Sequence, residues 1–360
     1  MKANPGNWEK TIFCLIIMTR ISFPLPNMKD FTVAICTYNG AARLTEVLEK
    51  LRSQIGTDDI RWEILIVDNN SNDGTQKVIQ NYQAHWKAPG SIHYLFEPKQ
   101  GVAFARQLAV QEAKSDLIGF LDDDSHPTPT WVMEAYTFGL AHPQAGAYGS
   151  CIRGLFDSQL PKNFQRIACH MVIMERKQAL HFETSQQGCI AGAGMVVRRQ
   201  AWLSSVSENP VCLGPVKENL AFNGAEIEVQ AFLRRNGWQI WYNPEMVIDH
   251  PMLDWRSRRH YLLSYFQKVG LNRHRIRMMG YGTWQKPWMV LLYLISDLRK
   301  VLVHLIKYRK TLSTDLVATC EMMLFLNSFY SPFHIFQQTL LSKLKLWKPI
   351  QRLKQVAQPI

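Results

Sequence analysis

Long apolar runs are missing from this 360-residue chain, and its mean hydropathy is -0.16, so a multi-span membrane protein is excluded. The run Thr11–Met18, between Lys10 and Arg20, falls far short of the roughly 20 residues a membrane-crossing helix requires. It also lacks a small-residue cleavage site, so no secretory signal is expected. The seven cysteines are scattered, odd in number and free of any C-x-x-C pair. That excludes a zinc finger or disulfide framework and predicts reduced, buried thiols in a cytosolic protein. With 20 Gly, 17 Pro and 47% apolar residues, the composition excludes collagen-like, low-complexity and disordered classes. No internal repeat is visible.

Acidic residues are scarce where basic ones are not. The net charge is +12, but residues 251–360 hold 18 Lys/Arg against 4 Asp/Glu. Residues 1–250 are near neutral, with 23 against 25. A neutral body therefore carries a basic C-terminal third. The expected division is an N-terminal extension of unreadable role over 1–27, a body over 28–255 and a basic amphipathic helical extension over 256–360.

The body alternates apolar strands with helical stretches. Strands are expected at Phe31–Cys36, Trp62–Val67, Ile92–Phe96 and Asp116–Leu121, with helices at Ala41–Gln54, Gln76–Trp86 and Gly101–Ala113. Near-continuous apolar strands separated by helices indicate an α/β fold with a mainly parallel sheet covered on both faces. Further on, Cys189–Arg198 reads as a strand, Ala225–Asn236 as a helix, and Gln239–Tyr242 and Met246–Ile248 as short strands.

Ligands of such sheets bind beyond the carboxyl ends of the strands. Three strands end in polar clusters, at Thr37–Gly40, Asp68–Gly74 and Asp122–Asp124. Turn chemistry accounts for Gly40 and Asp73-Gly74, but not for three adjacent carboxylates. Asp122, Asp123 and Asp124 repel one another, and a divalent cation, Mg or Mn, is the simplest compensation. A cation there implies a polyanionic ligand, and a nucleoside diphosphate fits.

The ordered set Phe31–Asn39, Val67–Thr75, Gly101–Arg106 and Phe120–Pro127 resembles family 2 glycosyltransferases of the GT-A fold, from Phe31 to about His250. The stretch Trp238–Pro244 and the basic tail further resemble hormogonium polysaccharide biosynthesis glycosyltransferases. The resemblance implies that Asp68 holds the base of a nucleotide-diphospho-sugar donor, with Thr37 and Asn39 in the loop flanking the nucleoside. Arg106 falls beside the donor phosphates, a contact suited to a guanidinium. Asp122, Asp123 and Asp124 supply the D-x-D element on the donor side, with Asp124, then Asp122, as metal ligands. His250 falls where the fold supplies a histidine near the metal or pyrophosphate. Gln100 and Gln107 stand where asparagines are usual.

Ala191–Gly194 resembles the family's loop near the transferred sugar, which assigns Gly192 and Ala193 to the sugar and acceptor side, although Gly194 replaces an asparagine. The family's acidic motif at a helix start aligns with Gly224–Val229. Glu226 then takes the catalytic base position and Ala225 replaces the preceding acid. Glu228 lies two residues on, and positions two apart on a helix face different ways.

The resemblance implies an inverting, metal-dependent transfer of a sugar to a glycan or lipid-linked glycan acceptor in exopolysaccharide or cell-surface glycan synthesis. The altered Ala225-Glu226 motif prompts an alternative, a nucleotide-sugar-binding protein with little catalysis. A nucleotidyltransferase is a third reading, but Thr37–Gly40 lacks the Gly-rich basic phosphate loop it requires. In the basic extension, apolar stripes over Trp288–Ile306 and Met322–Phe336 with Lys/Arg flanks suit a helix lying in an anionic membrane interface. Packing on the body is the other reading of that extension. The expected location is the cytoplasmic side of the plasma membrane, with peripheral contact. Nucleic acid is not an expected partner, because no recognition motif accompanies the charge.

Overall fold

The computed structural model describes residues 28–157, 159–183, 188–214 and 224–343, with residues 341–343 described by backbone alone. The expected extension over 1–27 lies outside the described residues, as do positions 344–360. Strands β1 (Phe31–Thr37), β2 (Trp62–Asp68), β3 (Ser91–Phe96) and β4 (Leu117–Asp122) are parallel, in the spatial order β3-β2-β1-β4. Helices α1 (Ala41–Arg52), α2 (Thr75–His85) and α3 (Val102–Glu112) connect them. The alternation within β1 shows why both faces are apolar. Val33 and Ile35 join one buried cluster with Leu44 and Leu48 of α1, whereas Ala34 joins another with Ala105 and Ala109 of α3. Ile64 and Ile66 of β2 are fully buried, each stabilising the fold by about 1.5–3 kcal/mol relative to exposure.

The sheet continues through β8 (Val196–Arg198), β6 (Ala145–Phe156), β9 (Gln239–Met252) and β5 (His126–Pro127), with β7 (Leu180–His181) paired to β9. Strand β8 runs antiparallel to its neighbours, so the sheet is mainly rather than wholly parallel. Helices α4 (Trp131–Ala141), α5 (Gln165–Ala168), α6 (Arg199–Ser205) and α7 (Ala225–Arg235) complete the body.

Two expectations change here. The strand read over Cys189–Arg198 shrinks to β8, because Gly194 turns the backbone into the left-handed region at φ 69°. The two short strands at 239–248 are one strand, β9. Ser150 of β6 pairs with Asn243 and Cys151 with Val247, so a bulge absorbs Pro244, which cannot donate to a ladder.

After β9 come α8 (Asp254–Ser257), α9 (Arg259–Met278), α10 (Lys286–Tyr308) and α11 (Leu316–Lys343). A third core joins them to the body: Phe164, Ile167 and Met171 pack with Leu262, Phe266 and Val317. Asp297 of α10, a charge in the middle of an apolar helix, is buried and held by both guanidinium nitrogens of Arg277 from α9. Among the described residues no helix is long and apolar enough to cross a membrane. The six described cysteines are free thiols, but only Cys151, Cys212 and Cys320 of them are buried as expected; Cys36 and Cys189 are partly exposed and Cys169 is exposed.

Candidate active site

Parallel register brings the carboxyl ends of β1, β2 and β4 to one edge, aligning Thr37 with Asp68 and Cys36 with Asp122. There the described residues enclose a cleft of about 880 Å3, whose lining includes Thr37, Arg106, Glu226, Tyr265 and all three aspartates that follow β4. Gly192 and Ala193 line it too.

Each aspartate faces its own arginine, which revises the argument that they need a metal to coexist. Asp123 is chelated by Arg43, with Nε at 2.9 Å and Nη2 at 2.8 Å, and also accepts a 2.6 Å bond from the Thr37 hydroxyl. Asp122 lies 3.7 Å from Arg106 Nη2. Asp124 lies 3.5 Å from Arg256 Nη2. Compensation remains incomplete at Asp122. Withdrawal from water raises its pKa to about 6 against the lowering by Arg106, with help from Asp124, Asp123 and Glu226.

Arg106 is held from several sides. It is 4% exposed, lies over the Phe120 ring at 5.5 Å, and its buried Nη1 has no hydrogen-bond partner. A β-carbon on Gly192 would sit 2.4 Å from Arg106 Nη2, so the glycine leaves the guanidinium its place. An unpartnered guanidinium donor at a cleft wall suits a phosphate oxygen. Gly194 has a packing reason of its own. A β-carbon there would lie 2.3 Å from Ser150 Oγ and 2.4 Å from Ile248 Cδ1, so the asparagine of the resemblance has no room. The two glutamines also have structural duties: Gln107 accepts a 2.6 Å bond from Trp202 Nε1, and Gln100 donates to the Asn69 carbonyl.

The two glutamates of α7 separate cleanly. Glu228 is buried, and its carboxylate accepts the backbone N–H groups of Val211 and Cys212 at 2.7–3.1 Å. Glu226, two residues earlier in the first helical turn, lines the cleft. Ala225 is buried, so the acid it replaces would have little access to water.

Asp68 and Asn39 are placed beside the cleft rather than on its wall. Asp68 is buried at the end of β2, accepting from the Ser71 N–H at 2.9 Å and the Tyr94 hydroxyl at 3.2 Å. Burial, with Asp68 next, pushes the Tyr94 pKa up to about 12. Asn39, at φ 49°, ties its loop to the next through the Asn72 N–H and the Ser71 hydroxyl. Asn69 lines the cleft instead.

His250 is 7% exposed, with Nε2 3.4 Å from Arg256 Nη1 and a buried, unpartnered Nδ1. Burial and the Arg256 charge hold its pKa below the usual imidazole value, against the pull of Asp124. A neutral imidazole and a carboxylate suit a hard or borderline divalent cation. Among the described residues no group of three or more such side chains is set to hold a metal. The donor set fits a cation that brings ligands of its own, such as diphosphate oxygens. Arg43, Arg256 and Trp255 of this site were missed in the sequence. Arg43 hides in the amphipathic pattern of α1, and Trp255 and Arg256 read as the start of the basic tail.

A cleft over the carboxyl ends of a mainly parallel sheet, followed by C-terminal helices, defines a GT-A-like fold. A mannosyltransferase of Pyrobaculum calidifontis, solved with GDP-Man and Mn2+, superposes with a TM-score of 0.51 at 15% identity, covering 85% of this chain and 88% of that one. Residues 32–203 match the family model described as Glycosyl transferase family 2, so the chain carries a domain of that kind. Glycosyltransferase AglE of Haloferax volcanii is 29% identical over 28% of this chain and 32% of its own length. A GalNAc(5)-diNAcBac-PP-undecaprenol beta-1,3-glucosyltransferase of Campylobacter jejuni is 28% identical over 35% of this chain and 39% of its own. The chain thus spans about a third of the length of these curated relatives.

Proposed function

We propose that this chain is an inverting glycosyltransferase that moves a sugar from a nucleotide-diphospho-sugar to an acceptor hydroxyl. The observation that carries the reading is one cleft, largely within the matched segment, that combines buried Arg106 and its unpartnered donor with Asp122, Asp124 and Glu226. Arg106 takes the donor's phosphate charge, Thr37 and Asp123 fix the loop beside the nucleoside, and Asp68 and Asn39 brace that loop from behind. Gly192 and Ala193 border the sugar and acceptor. Asp124 and His250, with Asp122, would hold a divalent cation, Mg or Mn, that supplies Lewis-acid stabilisation of the departing diphosphate. Glu226 removes the acceptor's proton as the new bond forms. The acceptor class is a glycan or lipid-linked glycan of a cell-surface or exopolysaccharide pathway, of the hormogonium polysaccharide type. In this reading residues 28–255 carry the catalytic groups, and the extension from 256 on adds Arg256 and Tyr265 to the cleft wall.

Incubation with radiolabelled UDP- and GDP-sugars, Mn2+ and undecaprenyl-diphosphate-linked glycan acceptors tests the reading. Label should move into the acceptor with at least one donor. Nucleotide-sugar binding without transfer would favour the binding-protein alternative, and release of diphosphate from a nucleotide triphosphate and a sugar phosphate would favour the nucleotidyltransferase.

Support for a membrane location comes from α10. Trp288, Leu291, Leu292, Ile295, Leu302 and Ile306 are all at least half exposed and recur at three- and four-residue steps along one side. Asp297 and His304 point into the protein instead. Exposed Lys286, Lys307 and Arg309 flank the stripe, and exposed Arg299 falls within it, between Ile295 and Leu302. Apolar insertion flanked by cations matches the cytoplasmic leaflet of a plasma membrane, where anionic lipid attracts each basic residue by about 1 kcal/mol. The protein should co-sediment with vesicles containing phosphatidylglycerol more than with phosphatidylcholine vesicles, and salt should weaken it. Equal binding to both, or none, would refute membrane contact by this face.

A further inference from the structure

Of the three aspartate–arginine pairs in the cleft, one is tightly bonded and two are long, at 3.7 Å for Arg106 and 3.5 Å for Arg256. Arg43 grips Asp123 through two nitrogens at 2.8–2.9 Å. Arg106 is 4% exposed and packed between Phe120 and Gly192. Arg256 shares with Arg106 a long aspartate contact and an unpartnered nitrogen but is more exposed. Its contacts, 3.5 Å to Asp124 Oδ2 and 3.4 Å to His250 Nε2, are longer than the roughly 2.7–2.9 Å of a well-made charge-assisted bond. It projects from the four-residue helix α8, with a quarter of its side chain exposed. Its Nε is buried without a partner, as is Nδ1 of the histidine it faces. The guanidinium lies between the two side chains whose chemistry suits a cation, and the contact that holds it there leaves polar atoms unsatisfied on both sides.

We propose that Arg256 is a built-in counter-ion: in the donor-free protein it holds the place of a divalent cation between Asp124 and His250, and it swings onto phosphate oxygens when cation and nucleoside diphosphate arrive together. The inference rests on the donor site proposed above and adds a rule for how that site fills. A cation arriving alone must displace a guanidinium that gains nothing by leaving, so its apparent affinity is lowered by the fraction of time the place is free. A cation arriving with a diphosphate offers the displaced guanidinium a bidentate anionic partner in exchange. Arg256 therefore makes cation and diphosphate binding depend on each other, and by linkage the dependence is reciprocal. The neighbouring Trp255 ring, 5.4 Å from the guanidinium carbon, gives the displaced head a face to slide along. Arg256 acts as a positioning residue, since it sets the order in which the site is occupied.

The test is binding rather than turnover. Mn2+ affinity is measured on the full chain by electron paramagnetic resonance of free Mn2+, with and without UDP or GDP, for the wild type, Arg256→Met and Arg256→Lys. Arg256→Met should bind Mn2+ alone at least about tenfold more tightly than the wild type, and bind the diphosphate with Mn2+ about tenfold more weakly, a coupling of ordinary allosteric size. Arg256→Lys, which keeps a charge without the fork, should lie between. Mn2+ affinity of Arg256→Met within twofold of the wild type, or a gain for both ligands together, would overturn the proposal. If neither diphosphate binds the wild type with Mn2+, the donor-site reading fails, yet tighter Mn2+ binding by Arg256→Met alone would still show the guanidinium competing for the place. Thermal melts of the variants check that each is folded.

Discussion

Glu226→Gln should lower the transfer rate by roughly 100-fold or more while donor affinity and melting temperature stay put. The substitution keeps the size and hydrogen-bonding shape of the side chain and removes its basicity. A single displacement needs a carboxylate on the acceptor's side, and the acids of the cleft are already divided, Glu46 being paired with His126 at 2.9 Å. Asp123 is bound to Arg43 and Thr37, and Asp122 and Asp124 sit against Arg106 and Arg256. Glu226 alone of the two α7 glutamates reaches the cleft. Glu228 supplies the control. Its carboxylate satisfies two backbone N–H groups, one of them buried, so Glu228→Ala should lower the melting temperature through lost hydrogen bonds of about 1–3 kcal/mol. Glu226→Asp should retain activity, because it restores the shorter acid of the family motif. Near-normal transfer by Glu226→Gln, or a product that keeps the donor's anomeric configuration by NMR, would remove Glu226 from the base position.

Glu226 also illustrates what could be read without coordinates. Its motif, its helix start and the two-residue offset from Glu228 are local features, and local features are legible. The same holds for β1, β2 and β4, whose apolar runs end in polar clusters, and for the parallel sheet that brings those ends together. Contacts between distant segments were not legible. The three aspartates looked like a charge in need of a metal because their arginines come from α1, α3 and α8, separated in sequence by up to 213 positions between Arg43 and Arg256. The bulge that lets β9 run past Pro244 depends on its pairing with β6. Asp297 lies in an apolar stretch of sequence, and the guanidinium that neutralises it inside the fold, Arg277, comes from another helix. That pairing leaves the outward side of α10 apolar. Its removal from one side, as in Arg277→Met, strands a buried carboxylate, the costly half of any buried ion pair.

Asp124→Ala should abolish measurable transfer, a loss of roughly 100- to 1,000-fold or more, the size seen when one preorganised electrostatic stabiliser is taken from a transition state. Asp124 is about a quarter exposed, and among the described residues its side chain pairs with one partner, Arg256, at 3.5 Å. Little in the fold leans on it, so the variant should melt within a degree or two of the wild type, as surface changes worth under about 0.5 kcal/mol do. The contrast with Asp123 sharpens the assignment. Asp123 joins Thr37 of β1 to Arg43 of α1, so Asp123→Ala should loosen the nucleoside loop and weaken donor binding as well as the rate. Asp124→Ala should instead uncouple nucleotide binding from the cation. Chelation with EDTA should weaken UDP or GDP binding to the wild type and leave the variant's residual binding unchanged, because the carboxylate through which the cation would act is gone. In the variant, Arg256 loses its only acidic partner among these contacts and is free to meet the diphosphate directly. Some cation-independent nucleotide affinity should therefore remain while transfer does not. An active Asp124→Ala protein, or wild-type nucleotide binding indifferent to EDTA, would show that the charge of the leaving group is met by the arginines alone.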